Sequence, residues 1–312
     1  MLDKRLFKFP GARQALGVLS LLTLIQAIAI IGQGRFLSVA ITDLWGGHQL
    51  TSIGMVLVWF MLAYLLRQVT GVAKQYALAP FADKTTASLQ TQLTQKYAAL
   101  GPRTVANQGT GKSVTLAVEG IDQVHDYLTL VLVKLFDMSI TPWLILLYIA
   151  TINFKQAVFL FVIYPVIVIF MIVLGLAAQA KADREYETFN RLSNHFVDSL
   201  RGLTTLKQLG LAKQYAQNIY DVSEDHRKAT MSTLKIAILS TFALDFFTTL
   251  SIAVVALFLG LGLMDGATHL LPALTILVLA PEYFLPIRNF ANDYHATLNG
   301  KNALADIMTL LE

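Results

Sequence analysis

The groups in this chain that can do chemistry are ionisable side chains set among apolar residues. Arg67, Asp245 and Glu282 each interrupt long stretches rich in Leu, Ile, Val and Phe. A charge inside a membrane-crossing helix costs a few kcal/mol or more unless it is paired or hydrated, so each is a candidate for holding a polar cargo or forming a gate. Arg67 and Glu282 fall at similar depths, about 22 Å along their helices at 1.5 Å per residue. Opposite charges at one depth suit a static interhelical ion pair first; the functional alternative is a gate, or a cationic patch for a substrate carboxylate. Asp245 lies near the middle of its own run, where water in a central cavity or a partner on a neighbouring helix would hold it. Arg35, Lys74 and Arg288 fall nearer helix ends, where long cationic side chains snorkel to headgroups.

Other chemistries find less support. The six histidines form no HExxH or other metal spacing, and the absence of cysteine excludes a disulfide framework or a thiolate site. No acid/base cluster falls within the apolar runs, so a membrane enzyme or a motor-free channel is a remote alternative. Gly109-Thr110-Gly111-Lys112-Ser113 is the only phosphate-loop candidate. A Walker A motif needs a further Gly where Ala106 stands, and no buried strand precedes it. With no LSGGQ signature either, this chain alone is expected not to hydrolyse ATP. The net charge of +4 and pI of 9.1 would suit nucleic acid or anionic lipid. The charges are parcelled between apolar blocks, which points to a lipid bilayer and not to nucleic acid.

The elements that position these residues follow from composition. Hydrophobic residues make up 55% and charged residues 14%, against about 25% charged in soluble domains. With a mean hydropathy of +0.58, this excludes disordered and collagen-like chains and a typical soluble enzyme. Gaps between charges give six spans of roughly the 20 residues that a bilayer requires: 14–42, 52–80, 127–152, 155–180, 235–263 and 268–290. The third tolerates Lys134 and Asp137, which at i, i+3 can neutralise each other. The basic N-terminus precedes an apolar run too long for a signal peptide, so it reads as a retained first span. Pro281 and Pro286 flank Glu282 and predict a kinked sixth helix. The aromatics Phe246, Phe247, Phe258, Tyr283 and Phe284 suit either a flat apolar ligand or contact with lipid and neighbouring helices.

Orientation follows from the cations. Assigning the termini and the 83–127 and 181–235 loops to the inside places 19 of the 24 Lys and Arg there, and only Lys155 in an outside loop. Both termini are then cytoplasmic. The two inside loops have helical composition over Thr85–Leu100 and over most of Ala182–Ser232, interrupted at Gly202 and Gly210. The expected fold is all-α: a polytopic membrane protein of six transmembrane helices with long cytoplasmic extensions, forming a single transmembrane domain over 1–312.

This pattern resembles the membrane domain of an ABC exporter of the six-helix, domain-swapped type. TGKSVTLAVEGIDQVHDY, Thr110 to Tyr127, is similar to the first intracellular loop with its coupling helix. FVDSLRGLTTLKQL, Phe196 to Leu209, is similar to the second. The coupling regions are then about 101–126 and 190–212, with Glu119, Asp122, Phe196, Asp198 and Arg201 as candidates for contact with the motor. LAPEYFLPIRNFANDYHATLNG, Leu279 to Gly300, resembles the sixth helix of the CydD/CydC family, which serves cytochrome bd assembly. The PEYFLPIR and DYHA strings resemble its CydD branch.

The resemblance implies a heterodimer with a CydC-like half-transporter in the bacterial cytoplasmic membrane. ATPase domains, absent from this chain, would bring ATP and Mg. It implies haem or a small thiol, glutathione or cysteine, as cargo. Tyr294 and His295 become candidates at a haem site, since His is a common axial ligand; an interfacial polar pair is the plainer reading. An exporter of lipid, peptide or drug fits the same pattern.

Overall fold

The computed structural model describes residues 9–47, 50–108 and 116–311. Among the described residues every regular element is a helix. We number them α1 (Ala12–Trp45), α2 (Leu50–Gln108), α3 (Leu116–Ile152), α4 (Phe154–Gln208), α5 (Ala212–Met264), α6 (Leu270–Asn292) and α7 (Tyr294–Leu311). Six of them, α1 to α6, are long and apolar enough to cross a membrane. Helices are what a hydrocarbon solvent permits, because each satisfies its own backbone hydrogen bonds. α2, α4 and α5 have 59, 55 and 53 residues. Each therefore runs for about 80–90 Å, far beyond the roughly 30 Å of hydrocarbon.

The chain divides into two compact units. The first comprises 1–165 and 248–312. In it α1 packs on α2, α3 and α6, and α3 packs on α6. α6 is the central element: Ala273, Ile276, Leu279, Ala280, Tyr283, Ile287 and Phe290 recur at helical spacing and are buried. α2 turns Met55, Val58, Trp59, Leu62, Leu65 and Val69 outward, an apolar surface of the kind that faces lipid. Tyr283 donates from its hydroxyl to the Leu160 carbonyl at 3.2 Å, and Tyr164 to that of Met138 at 3.0 Å. Tyr283 and Phe284 are buried in ring contacts with Tyr164 and each other, so they pack between helices. Phe258 is exposed.

Local sequence sets the breaks. α3 and α4 are separated by Asn153 alone, in extended conformation. Its side-chain oxygen accepts from the Gln156 amide at 3.3 Å, capping α4. α3 contains two π-helical turns, Leu116–Gly120 and Tyr127–Val131. The second carries Tyr127 against α7 at Gly300, where an added Cβ would lie 2.5 Å from Tyr127 Cβ and 2.7 Å from the Gln123 carbonyl oxygen. Only glycine fits there. Lys96 of α2 reaches the Leu311 carbonyl at 3.2 Å, so α7 is held by both α2 and α3.

The second unit, 166–247, holds parts of α4 and α5. Phe170 and Phe247 rings meet at 4.9 Å, and Phe246 packs on Phe242 and Phe247. The turn between the two helices uses Gly210 at φ +69, a conformation that favours glycine. Gly202, expected as an interruption, lies within α4; an isolated glycine inside a helix costs only about 1 kcal/mol.

The prolines do not end the sixth helix. Pro281 and Pro286 both lie inside the unbroken α6, and the interruption falls at Asp293.

Candidate functional site

The site forms on α6 and is completed by α1, α2 and α3. Glu282, Leu285, Pro286 and Asn289 fall at i, i+3, i+4 and i+7, one face of α6. Lys134, Asp137 and Thr141 make the matching face of α3. With Gln26 and Ile30 of α1 and Arg67 of α2, they line a cavity of about 120 Å³. It lies along the membrane-crossing stretches of these helices. Counted from Ile53, Leu270 and Ile152, the ends of the spans, Arg67, Glu282 and Lys134 are about 18–27 Å along their helices.

Arg67 and Glu282 come together as two oppositely charged groups at one depth should. Arg67 Nη1 donates to Glu282 Oε1 at 2.8 Å and Nη2 to Oε2 at 2.9 Å. This paired geometry fixes both planes and is stronger than a single hydrogen bond. Nη1 also donates to Gln33 Oε1 at 3.2 Å, and Gln26 Nε2 donates to the Arg67 carbonyl at 3.1 Å. The two charged side chains remain 21% and 24% exposed, so cargo or water in the cavity can reach them.

Two further ion pairs border this region, with partners the sequence reading did not choose. Lys134 and Asp137 do not neutralise each other. Lys134 pairs with Asp293, and Asp137 with Lys74 of α2. Neighbours at i, i+3 share a face, but that face meets other helices whose charges compete better. Lys74 does not snorkel; its side chain is 1% exposed. One signal was available: Arg67 and Lys74 are seven residues apart, hence on one face of α2.

The remaining candidates are placed as follows. Asp245 is half-buried on α5, in the second unit. Glu119 and Asp122 are exposed near the start of α3. Nearby, His125 Nε2 lies 3.1 Å from Asp83 Oδ1, tying α3 to α2. Phe196, Asp198 and Arg201 are on α4, and Tyr294 and His295 open α7; their side chains lie outside the described residues. Residues 109–115, which include the phosphate-loop candidate, also lie outside them.

Residues 16–285 match the ABC transporter transmembrane region family. The chain belongs to that family. Its fold is that of an ABC exporter membrane domain, and the protein is a multi-pass membrane protein. It is 50% identical over 310 residues, 99% of its length, to the glutathione/L-cysteine transport system ATP-binding/permease protein CydC of Bacillus subtilis. It is 32% identical over 97% of its length to the transport ATP-binding protein AarD of Providencia stuartii. Over 72% of its length it is 34% identical to CydD of Escherichia coli, also a glutathione/L-cysteine transport system protein. The chain spans about half the length of these curated relatives: 55%, 53% and 40%. Strings near Glu282 resemble CydD, whereas whole-chain identity is high to CydC of Bacillus subtilis. Similarity therefore places the chain within the CydD/CydC family.

Proposed function

We propose that this chain is the membrane-spanning permease part of a heterodimeric ABC exporter of the cytochrome bd assembly type. Its cargo is a small thiol, cysteine or glutathione, moved out of the cytoplasm across the bacterial cytoplasmic membrane by ATP-driven alternating access. Both termini face the cytoplasm in this reading, which the distribution of Lys and Arg supports. The chain binds and moves cargo. ATPase domains, with ATP and Mg, perform hydrolysis, and a CydC-like or CydD-like second subunit completes the transporter. The segments about Glu119 and Asp122, and about Phe196, Asp198 and Arg201, carry motion from those domains.

The supporting observation is the charged, reachable cavity at bilayer depth in a chain whose relatives carry glutathione and L-cysteine in their names. The lining carries two cations, Arg67 and Lys134, and two carboxylates, Asp137 and Glu282. A formally neutral polar cavity of about 120 Å³ suits the zwitterionic end of a small thiol better than the broad apolar face of haem.

The test is ATP-dependent uptake of labelled cysteine and glutathione into inside-out vesicles containing the full-length protein and its partner subunit. Uptake above that of vesicles lacking the pair is expected. Haem uptake without thiol uptake would move the assignment to haem and to His295; uptake of neither would leave lipid, peptide or drug export.

A further inference from the structure

We infer that Arg67 and Glu282 form an exchangeable receptor for the zwitterionic head group of an α-amino acid. This deepens the thiol-export reading and rests on it for the choice of cargo. The two charges are already in register, bonded at 2.8 and 2.9 Å. An α-amino acid offers the same two charges in mirror order. Its carboxylate replaces Glu282 on the Arg67 guanidinium, and its ammonium replaces Arg67 on the Glu282 carboxylate. Each charge-assisted hydrogen bond lost is matched by one gained, and no net charge enters the low-dielectric site.

Size agrees with chemistry. The cavity is about 120 Å³, and an apolar cavity of about 150 Å³ accommodates benzene, a six-carbon ring. An α-amino-carboxylate with its Cβ has a similar number of heavy atoms. Gln33 and Gln26 hold Arg67 from its Nη1 and its carbonyl, so the guanidinium stays in position when its carboxylate partner changes. Cysteine and the γ-glutamyl end of glutathione share this head group. The cavity wall is made of Gln26, Ile30, Thr141, Leu285, Pro286 and Asn289 besides the four charged residues. It holds no cysteine or methionine to single out sulfur. Recognition therefore reads the amino-acid end and is indifferent to the thiol.

Competition tests this on the full-length protein with its partner subunit in inside-out vesicles. ATP-dependent uptake of labelled L-cysteine is competed with L-serine, cysteamine and 3-mercaptopropionate. Serine keeps both charges and lacks the thiol. Cysteamine lacks the carboxylate, and 3-mercaptopropionate lacks the ammonium. Serine is expected to compete within about tenfold of unlabelled cysteine, and each fragment at least about 100-fold more weakly, because each leaves one charge of the site unpaired. Fragments that compete as well as cysteine while serine does not would overturn the inference.

If wild-type vesicles take up neither cysteine nor glutathione, the transport reading fails by itself. Binding of labelled L-serine to the purified pair then decides the site. Binding that Glu282→Gln weakens at least tenfold supports it, and no binding to wild type overturns it.

Discussion

Arg67 and Lys74 stand two turns apart on one face of α2 and serve different ends. Arg67 meets Glu282 of α6 through two hydrogen bonds, and both side chains keep a fifth or more of their surface open to a cavity. Lys74 meets Asp137 of α3 with its own side chain 1% exposed. The same type of interaction, on the same helix, has both partners reachable in the first pair and a buried cation in the second, whose carboxylate, Asp137, lines the same cavity and is 27% exposed. A sealed cation cannot change partners without leaving a charge in low dielectric, so it holds α2 to α3. A reachable pair can exchange partners with cargo, so it can both bind and gate. Exposure of the cation, 21% for Arg67 against 1% for Lys74, separates a site from a strut.

That contrast can be broken by substitution. The largest loss of stability is expected from Lys74→Met, which leaves Asp137 without its cation. Breaking a fully buried pair from one side costs about 3–5 kcal/mol; with Asp137 27% exposed the loss should fall toward the lower end, measured as a lower midpoint of thermal unfolding in detergent. Replacing both partners, Lys74→Met with Asp137→Leu, should recover most of that loss, since apolar pairs of similar volume commonly match buried ion pairs. If the double variant is as unstable as the single one, Lys74 does more than neutralise Asp137.

Arg67→Ala should divide the effects the other way. Stability falls by about 1–2 kcal/mol, because the partners are partly hydrated, while ATP-dependent cysteine uptake falls at least tenfold. Equal losses of folded protein and of uptake would make this pair a strut as well.

Gly300→Ala places a methyl group against Tyr127 and the Gln123 carbonyl. Overpacking of this kind costs about 1–3 kcal/mol. The loss should appear as earlier protease cleavage near α7, with cysteine binding intact. The smallest change is expected for Tyr283→Phe, which removes one hydroxyl bond to the Leu160 carbonyl. It should cost about 1 kcal/mol and leave uptake unchanged, since Tyr283 packs between helices.

Much of this was legible in the sequence. Long apolar runs set six spans, and among the described residues six helices are long and apolar enough to cross a membrane. Arg67 and Glu282 could be matched because depth is one-dimensional: counting residues from the loops puts opposite charges at one level. Lys134 and Asp137 were misread because sequence spacing on one helix reports shared faces and omits what those faces meet. Lys74 and Asp293 supply that missing information, and they come from α2 and from the break after α6. Pro281 and Pro286 stand inside the sixth span without ending it. Proline removes one backbone bond, but a helix packed on its neighbours can continue through that loss, and α6 does.

The most direct test of the central claim is the charge swap Arg67→Glu with Glu282→Arg, followed by both thermal unfolding and cysteine uptake. The swap keeps an ion pair between α2 and α6 but reverses the order in which cargo meets the two charges. The account predicts an unfolding midpoint close to wild type, within the effect of about 1 kcal/mol, and uptake reduced at least tenfold. Wild-type uptake in the swapped protein would contradict it, because the pair would then matter only as a link between helices.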